Sequence, residues 1–214
     1  MKSNRVLILS PHTDDAELGC GGTIAKMIKQ KKEILWVVFS SAEESLPAGF
    51  PKDALVKEFQ KVVDSLTLKP ENYKIFNFKV RKLSEKRQDV LEELIKIRGD
   101  FKPGLVIGPS LNDFHQDHSV VSNEMIRAFK TSCSIICYEL PWNHIKFDTQ
   151  FFVKLNETEI EQKLKMLDFY KTQFKANRHY FSSQFITGLA ATRGAQVGTE
   201  YAEAFEVVRW IEED

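Results

Sequence analysis

Short aliphatic runs alternate with longer stretches of helical periodicity along the chain. Val6-Leu7-Ile8-Leu9 is a continuous branched apolar run, the pattern of a strand buried on both faces of a parallel sheet. It stops at Ser10-Pro11, and after a polar and glycine-rich interval Thr23 to Ile28 has helical spacing without a breaker. Glu33 to Ser40 repeats the buried-strand pattern, so the helix between the two runs makes a parallel βαβ unit. Residues 42–52, with two prolines and a glycine, read as a loop. Leu55, Phe59, Val62, Val63 and Leu66 then predict an amphipathic helix from Asp53, its cap, to Leu66. Tyr73 to Asn77 predicts a short strand. Ser84 to Ile97 predicts a helix, with Ser84 as N-cap and Gly99 near its end.

Leu105 to Gly108 reads as a further buried strand and Ser119 to Lys130 as the helix after it. Ser134 to Glu139 is another strand, with Pro141 to His144 as its exit loop, and Phe151 to Leu155 one more. Glu157 to Lys175 predicts one long helix that starts near Thr158, with Glu161, Lys163 and Lys165 on a solvated face. Beyond Ala176 the pattern weakens, and Phe205 to Trp210 predicts a closing strand or helix end. Alternating strands and helices imply an α/β fold with a mostly parallel sheet. At 214 residues, without linker or repeat, the chain is expected to form one domain, 1–214.

Lys and Arg total 30, as do Asp and Glu, so no global field draws the chain to nucleic acid or to an anionic membrane. No run approaches the roughly 20 apolar residues of a spanning helix, and no signal-peptide core follows Met1. A soluble cytoplasmic protein is expected. Its cysteines are three, Cys20, Cys133 and Cys137, an odd number that fits a reducing compartment. Cys133 and Cys137 read as small buried apolar residues rather than a metal pair.

Candidate chemistry concentrates where two of the strands end. His12-Thr13-Asp14-Asp15 follows the first strand, and His115-Gln116-Asp117-His118 precedes the helix at Ser119; together they hold three of the five histidines. In open α/β sheets, sites are built in the crevice beyond the carboxyl ends of strands. A borderline metal such as zinc takes imidazole nitrogen and carboxylate oxygen, and a hydrolytic site uses three protein ligands and keeps a position open. A spare carboxylate is then needed as base. Gathering this many acids and imidazoles without a metal or substrate would be costly.

The stretch PHTDDAELGCGG resembles the PHxDDxxLGCGG signature, and HQDH the HxDH signature, of the LmbE-like, or PIG-L, de-N-acetylase family. The similarity extends to the helix around Glu58 to Leu66, to Arg87-Gln88, to KPGLVIGPS and to RGAQVGTEYAEAF. It implies a Rossmann-like three-layer sandwich and a zinc hydrolase that deacetylates an N-acetylamino sugar or glycoconjugate. It also implies that His12, Asp15 and His118 ligate the metal, that Asp14 is the general base, and that His115 stabilises the oxyanion or acts as acid. Asp117 would orient a histidine, Glu17 would serve helix-start electrostatics, and Gly19-Cys20-Gly21-Gly22 would be a turn serving packing.

The family commonly places a sugar-binding arginine where this chain has Leu55, and some members a tyrosine where it has Asp113. Arg81, Arg87, Trp142 and Arg193 are the candidates for substrate binding in their stead. Cobalt, nickel or iron could replace zinc at such a site, and the sequence leaves oligomeric state open, a homo-oligomer included. The rival expectations are a zinc hydrolase of another small amide or ester, and a Rossmann-like metal- or nucleotide-binding module without turnover.

Overall fold

The computed structural model describes residues 3–212. Its strands are β1 (Arg5–Ser10), β2 (Glu33–Val38), β3 (Tyr73–Ile75), β4 (Leu105–Pro109), β5 (Ser134–Tyr138), β6 (Phe151–Leu155) and β7 (Tyr201–Arg209). They form one sheet in the order β3-β2-β1-β4-β5-β7-β6. β1 to β5 pair in parallel, while β7 runs antiparallel to β5 and β6. The helices are α1 (Asp15–Lys29), α2 (Ala54–Ser65), α3 (Arg87–Phe101), α4 (Gln116–Phe129), α5 (Glu157–Asp168), α6 (Lys171–Lys175) and α7 (Ser183–Gln196). Among the described residues no helix is long and apolar enough to cross a membrane.

The continuous apolar runs of the strands follow from burial on both faces. Val6 and Ile8 of β1 pack with Ile24, Phe59, Met166 and Ile186, on α1, α2, α5 and α7. Leu7 and Leu9 pack with Leu94, Met125 and Phe129 of α3 and α4. The result is the expected three-layer α/β sandwich. Cys133 and Cys137 are free and buried in the second layer of packing. The strand order reverses beside β1: β2 and β3 extend to one side, β4 and β5 to the other. A crevice therefore opens beyond the carboxyl ends of β1 and β4, the place in such sheets where ligands bind.

Several expectations about local structure are corrected. α1 begins at Asp15 and runs through the glycines, with only Cys20 departing from helical angles (φ −148°, ψ 28°). Packing overrides local propensity here. A Cβ on Gly19 would overlap the ring of Tyr138, and one on Gly22 would overlap Leu155, so the glycines let α1 press against β5 and β6. Just past the kink, the N–H groups of Gly22 and Thr23 donate to Glu203 of β7 at 3.0 and 2.7 Å.

Glu203 also accepts from Lys163 Nζ at 2.7 Å, and Lys163 is only 3% exposed. Lys163 is thus an internal cation joining α5, β7 and α1, not part of a solvated face. Lys163→Met leaves Glu203 buried without its counter-ion, and the expected loss is about 3–5 kcal/mol of unfolding free energy. Urea titration of the variant measures it; a loss within experimental error would show that the pair is dispensable.

The predicted helix from Glu157 to Lys175 is two helices. Asn156 caps α5 through a reciprocal bond with Glu159. The break falls at Phe169-Tyr170, where Tyr170 (φ −83°, ψ 65°) is fully buried. Glu17 stands in the first turn of α1, as expected, but buried, against Tyr170. α3 starts at Arg87 after a 3₁₀ turn, contains Gly99, and ends on the left-handed Lys102. α4 starts at Gln116, earlier than expected, which puts Asp117 and His118 in its first turn.

Candidate active site

Two strand ends present the chemistry. After β1, His12, Thr13 and Asp14 form a tight connection, with Asp14 at the N-cap of α1 and Asp15 its first residue. The His12 N–H donates to Asp15 Oδ2 at 2.7 Å, which folds the loop back on itself. After β4, the loop 110–115 is held by Glu206 of β7, which accepts from the Ser110 hydroxyl and from Asn112 Nδ2. His115 caps α4, its Nδ1 accepting from the Asp117 N–H at 3.2 Å. Both loops meet at the crevice.

There, three atoms form a nearly equilateral triangle. His12 Nδ1 lies 3.1 Å from Asp15 Oδ2, His118 Nε2 lies 3.2 Å from the same oxygen, and the two nitrogens are 3.3 Å apart. Zinc bonds of about 2.0–2.1 Å in a tetrahedron give edges of about 3.3–3.4 Å. The donor set therefore fits a four-coordinate metal with one position left for a non-protein ligand. His115 also brings a ring nitrogen within 4.8 Å of those of His12 and His118, but its Nδ1 is occupied by the Asp117 amide.

Each imidazole of the triangle has a carboxylate behind it. Asp117 Oδ2 is 2.9 Å from His12 Nε2, and Asp113 Oδ2 is 2.7 Å from His118 Nδ1. Such partners fix ring orientation and raise ligand basicity. Sequence reading did not give Asp113 this contact.

Burial works against charge on the histidines, but Asp15 and the supporting carboxylates outweigh it. His12 is raised to about 9 and His118 to about 10. Burial likewise works against Asp15, yet His118 and His12 hold it well below the usual carboxylate range. The acids around the two rings make this a site that attracts positive charge.

A pocket of about 150 Å³ adjoins the triangle, lined by Asp14, His115, Leu55, Trp142, Gln173 and Arg178 among others. Asp14 is raised to about 6, first by burial and then by the charge of Asp15. Burial and the neighbouring His12 press His115 down to about 4, so its ring is neutral near pH 7. The amide bond to Nδ1 then places the ring proton on Nε2. Trp142 stacks on Tyr180 with centroids 3.9 Å apart, and Arg178 donates to the Tyr180 hydroxyl at 2.7 Å.

Of the four candidate substrate residues, the structure brings only Trp142 to this pocket. Arg81 has an exposed side chain and contributes its main chain, its N–H donating to Asp117 at 2.6 Å. Arg87 is paired with Glu124 on the α3–α4 side. Arg193 is held by both oxygens of Glu139 at a separate small cavity beside Lys163. Gln173 lies in α6 and Arg178 after it; neither belongs to a motif, and sequence reading did not mark them as site residues.

The sequence profile of the family described as GlcNAc-PI de-N-acetylase matches residues 7–129, from β1 through α4. This chain belongs to that family. The matched stretch holds both histidine-bearing loops and every atom of the triangle. Escherichia coli (strain K12) has a relative described as uncharacterized deacetylase YaiS, 27% identical over 177 residues, covering 80% of this chain and 92% of its own. Among solved structures, the N,N'-diacetylchitobiose deacetylase of Pyrococcus horikoshii superposes with a TM-score of 0.79 at 20% identity, over 97% of this chain and 84% of that one. GalB, a 4-carboxy-2-hydroxymuconate hydratase of Pseudomonas putida, superposes with a TM-score of 0.77 at 18% identity, over 98% of each chain. This de-N-acetylase fold therefore also carries chemistry other than deacetylation, and function has to be argued from the site.

Proposed function

We propose that this chain is a zinc-dependent hydrolase that removes the acetyl group from an N-acetylamino sugar of the N-acetylglucosamine type, or from its conjugate. The observation that carries the reading is the metal-sized triangle of His12, Asp15 and His118 with an additional carboxylate, Asp14, beside it in the pocket. A binding module needs no such base. Other divalent transition metals suit the same donors.

When bound, the metal supplies Lewis acidity, bringing the pKa of a water to about 7 and polarising an amide carbonyl. Asp14 accepts the proton of the attacking water and delivers it to the departing amine nitrogen. His115, neutral and carrying its proton on Nε2, donates a hydrogen bond to the carbonyl oxygen as charge develops there. Asp117 and Asp113 hold His12 and His118 in place. The stacked Trp142 and Tyr180 offer a flat face to a sugar ring, and Arg178 has guanidinium N–H groups beyond the one given to Tyr180 for its hydroxyls.

Incubating the zinc-loaded protein with free, nucleotide-linked and glycoside-linked N-acetylated sugars tests the reading. Acetate release from at least one class is expected. Acid release only from simple amides or esters would instead favour a hydrolase of other acyl compounds. No product from any substrate, with zinc bound, would leave a metal-binding module.

A further inference from the structure

The loop that carries the base is gripped by two buried side chains that the chemistry above does not use. Tyr170 and Glu17 are each fully buried. The Tyr170 hydroxyl reaches the carbonyl oxygen of Thr13 and, at 2.5 Å, Glu17 Oε1. A phenol has one proton to give, and a backbone carbonyl can only accept. The Tyr170 hydroxyl therefore anchors the Thr13 carbonyl, with Glu17 Oε1 packed against the phenol oxygen. The other oxygen of Glu17, Oε2, has no hydrogen-bond partner among the described residues.

Thr13 lies between His12 and Asp14, so the peptide that Tyr170 holds is the one entering Asp14. The peptide leaving Asp14 is fixed by the helix bond from Leu18 N to Asp14 O at 3.1 Å. The Asp14 side chain makes no capping bond to α1, so its direction depends on these two peptides. Among the described residues, no hydrogen bond from α5 or α6 themselves reaches the loop between β1 and α1. The break between α5 and α6 is what delivers Tyr170 to this point.

We propose that Tyr170, aimed by Glu17, is a positioning residue: it locks the Thr13–Asp14 peptide and thereby the direction in which Asp14 enters the pocket. The kinetic part of this inference rests on the deacetylase reading; the structural part does not. The test is Tyr170→Phe in the metal-loaded protein. A misplacement of about 1 Å at a reacting group costs about 10²-fold, so kcat is expected to fall between about 10- and 100-fold, with KM and bound metal unchanged. A crystal structure of the variant is expected to show the Asp14 carboxylate displaced.

Tyr170→Phe also leaves Glu17 without a partner and so lowers stability. Tyr170→Phe/Glu17→Leu replaces both polar partners and is expected to recover most of the lost thermal stability while kcat stays low. Recovery of kcat along with stability would reduce Tyr170 to a structural residue and overturn the proposal. So would an unmoved Asp14 carboxylate with wild-type kcat. If the wild-type protein releases no acetate from any sugar, the deacetylase reading fails, and the position of Asp14 in the variant crystal still decides the positioning claim.

Discussion

Asp14→Ala is expected to cut acetate release by about 10²–10⁴-fold, the usual contribution of a general base, while the metal content of the protein stays that of the wild type. Asp14 is 7% exposed and raised to about 6 by burial and by Asp15, so it is a carboxylate at neutral pH yet a better proton acceptor than an exposed one. Its oxygens are outside the triangle formed by His12, Asp15 and His118, and its removal leaves those three atoms and the carboxylates behind them in place. Elemental analysis beside an acetate assay separates the outcomes. Full activity in the variant would show that another group takes the proton. Loss of metal together with activity would make Asp14 a ligand rather than a base.

Stripping the metal with a chelator is expected to abolish turnover and to lower the thermal midpoint, and restoring zinc to reverse both. A ligand that binds only the folded state stabilises it by about 4 kcal/mol when present at about a thousand times its Kd. The effect is directional here. Asp15, Asp113 and Asp117 converge behind two histidines, and Asp15 and Asp113 are held low in pKa, Asp113 at about 2, chiefly through His118 against the opposing effect of burial. A cation at the triangle meets the Asp15 oxygen directly and is favoured by the acids behind the two rings. Turnover that persists after the metal is undetectable would remove the basis of the zinc reading.

The sequence makes the strands and the ligand loops legible because both depend on local pattern. Val6 to Leu9 and Leu105 to Gly108 are continuous apolar runs, and histidines and acids follow or flank them in dense clusters. What it hides depends on contacts between distant segments. The helix through Gly19 to Gly22 follows from the need of α1 to lie close against Tyr138 and Leu155, which no propensity encodes. Lys163 looks like a surface residue until Glu203, forty positions later, is placed against it. Asp113 acquires its role only when His118 turns one helical turn further on to meet it. Arg178 and Tyr170 lie in a stretch whose helix breaks for a tertiary reason, the insertion of the Tyr170 ring into the core.

The position of β7 has a consequence for how the protein is made. Among the described residues it is the last strand in chain order, yet it inserts between β5 and β6. Its Glu203 receives the amides of α1, and its Glu206 ties down the loop after β4. Both sides of the triangle are thus braced by residues that leave the ribosome after His12, Asp15 and His118. On a nascent chain these three precede their scaffold, so their arrangement is expected to mature only once β7 has been made.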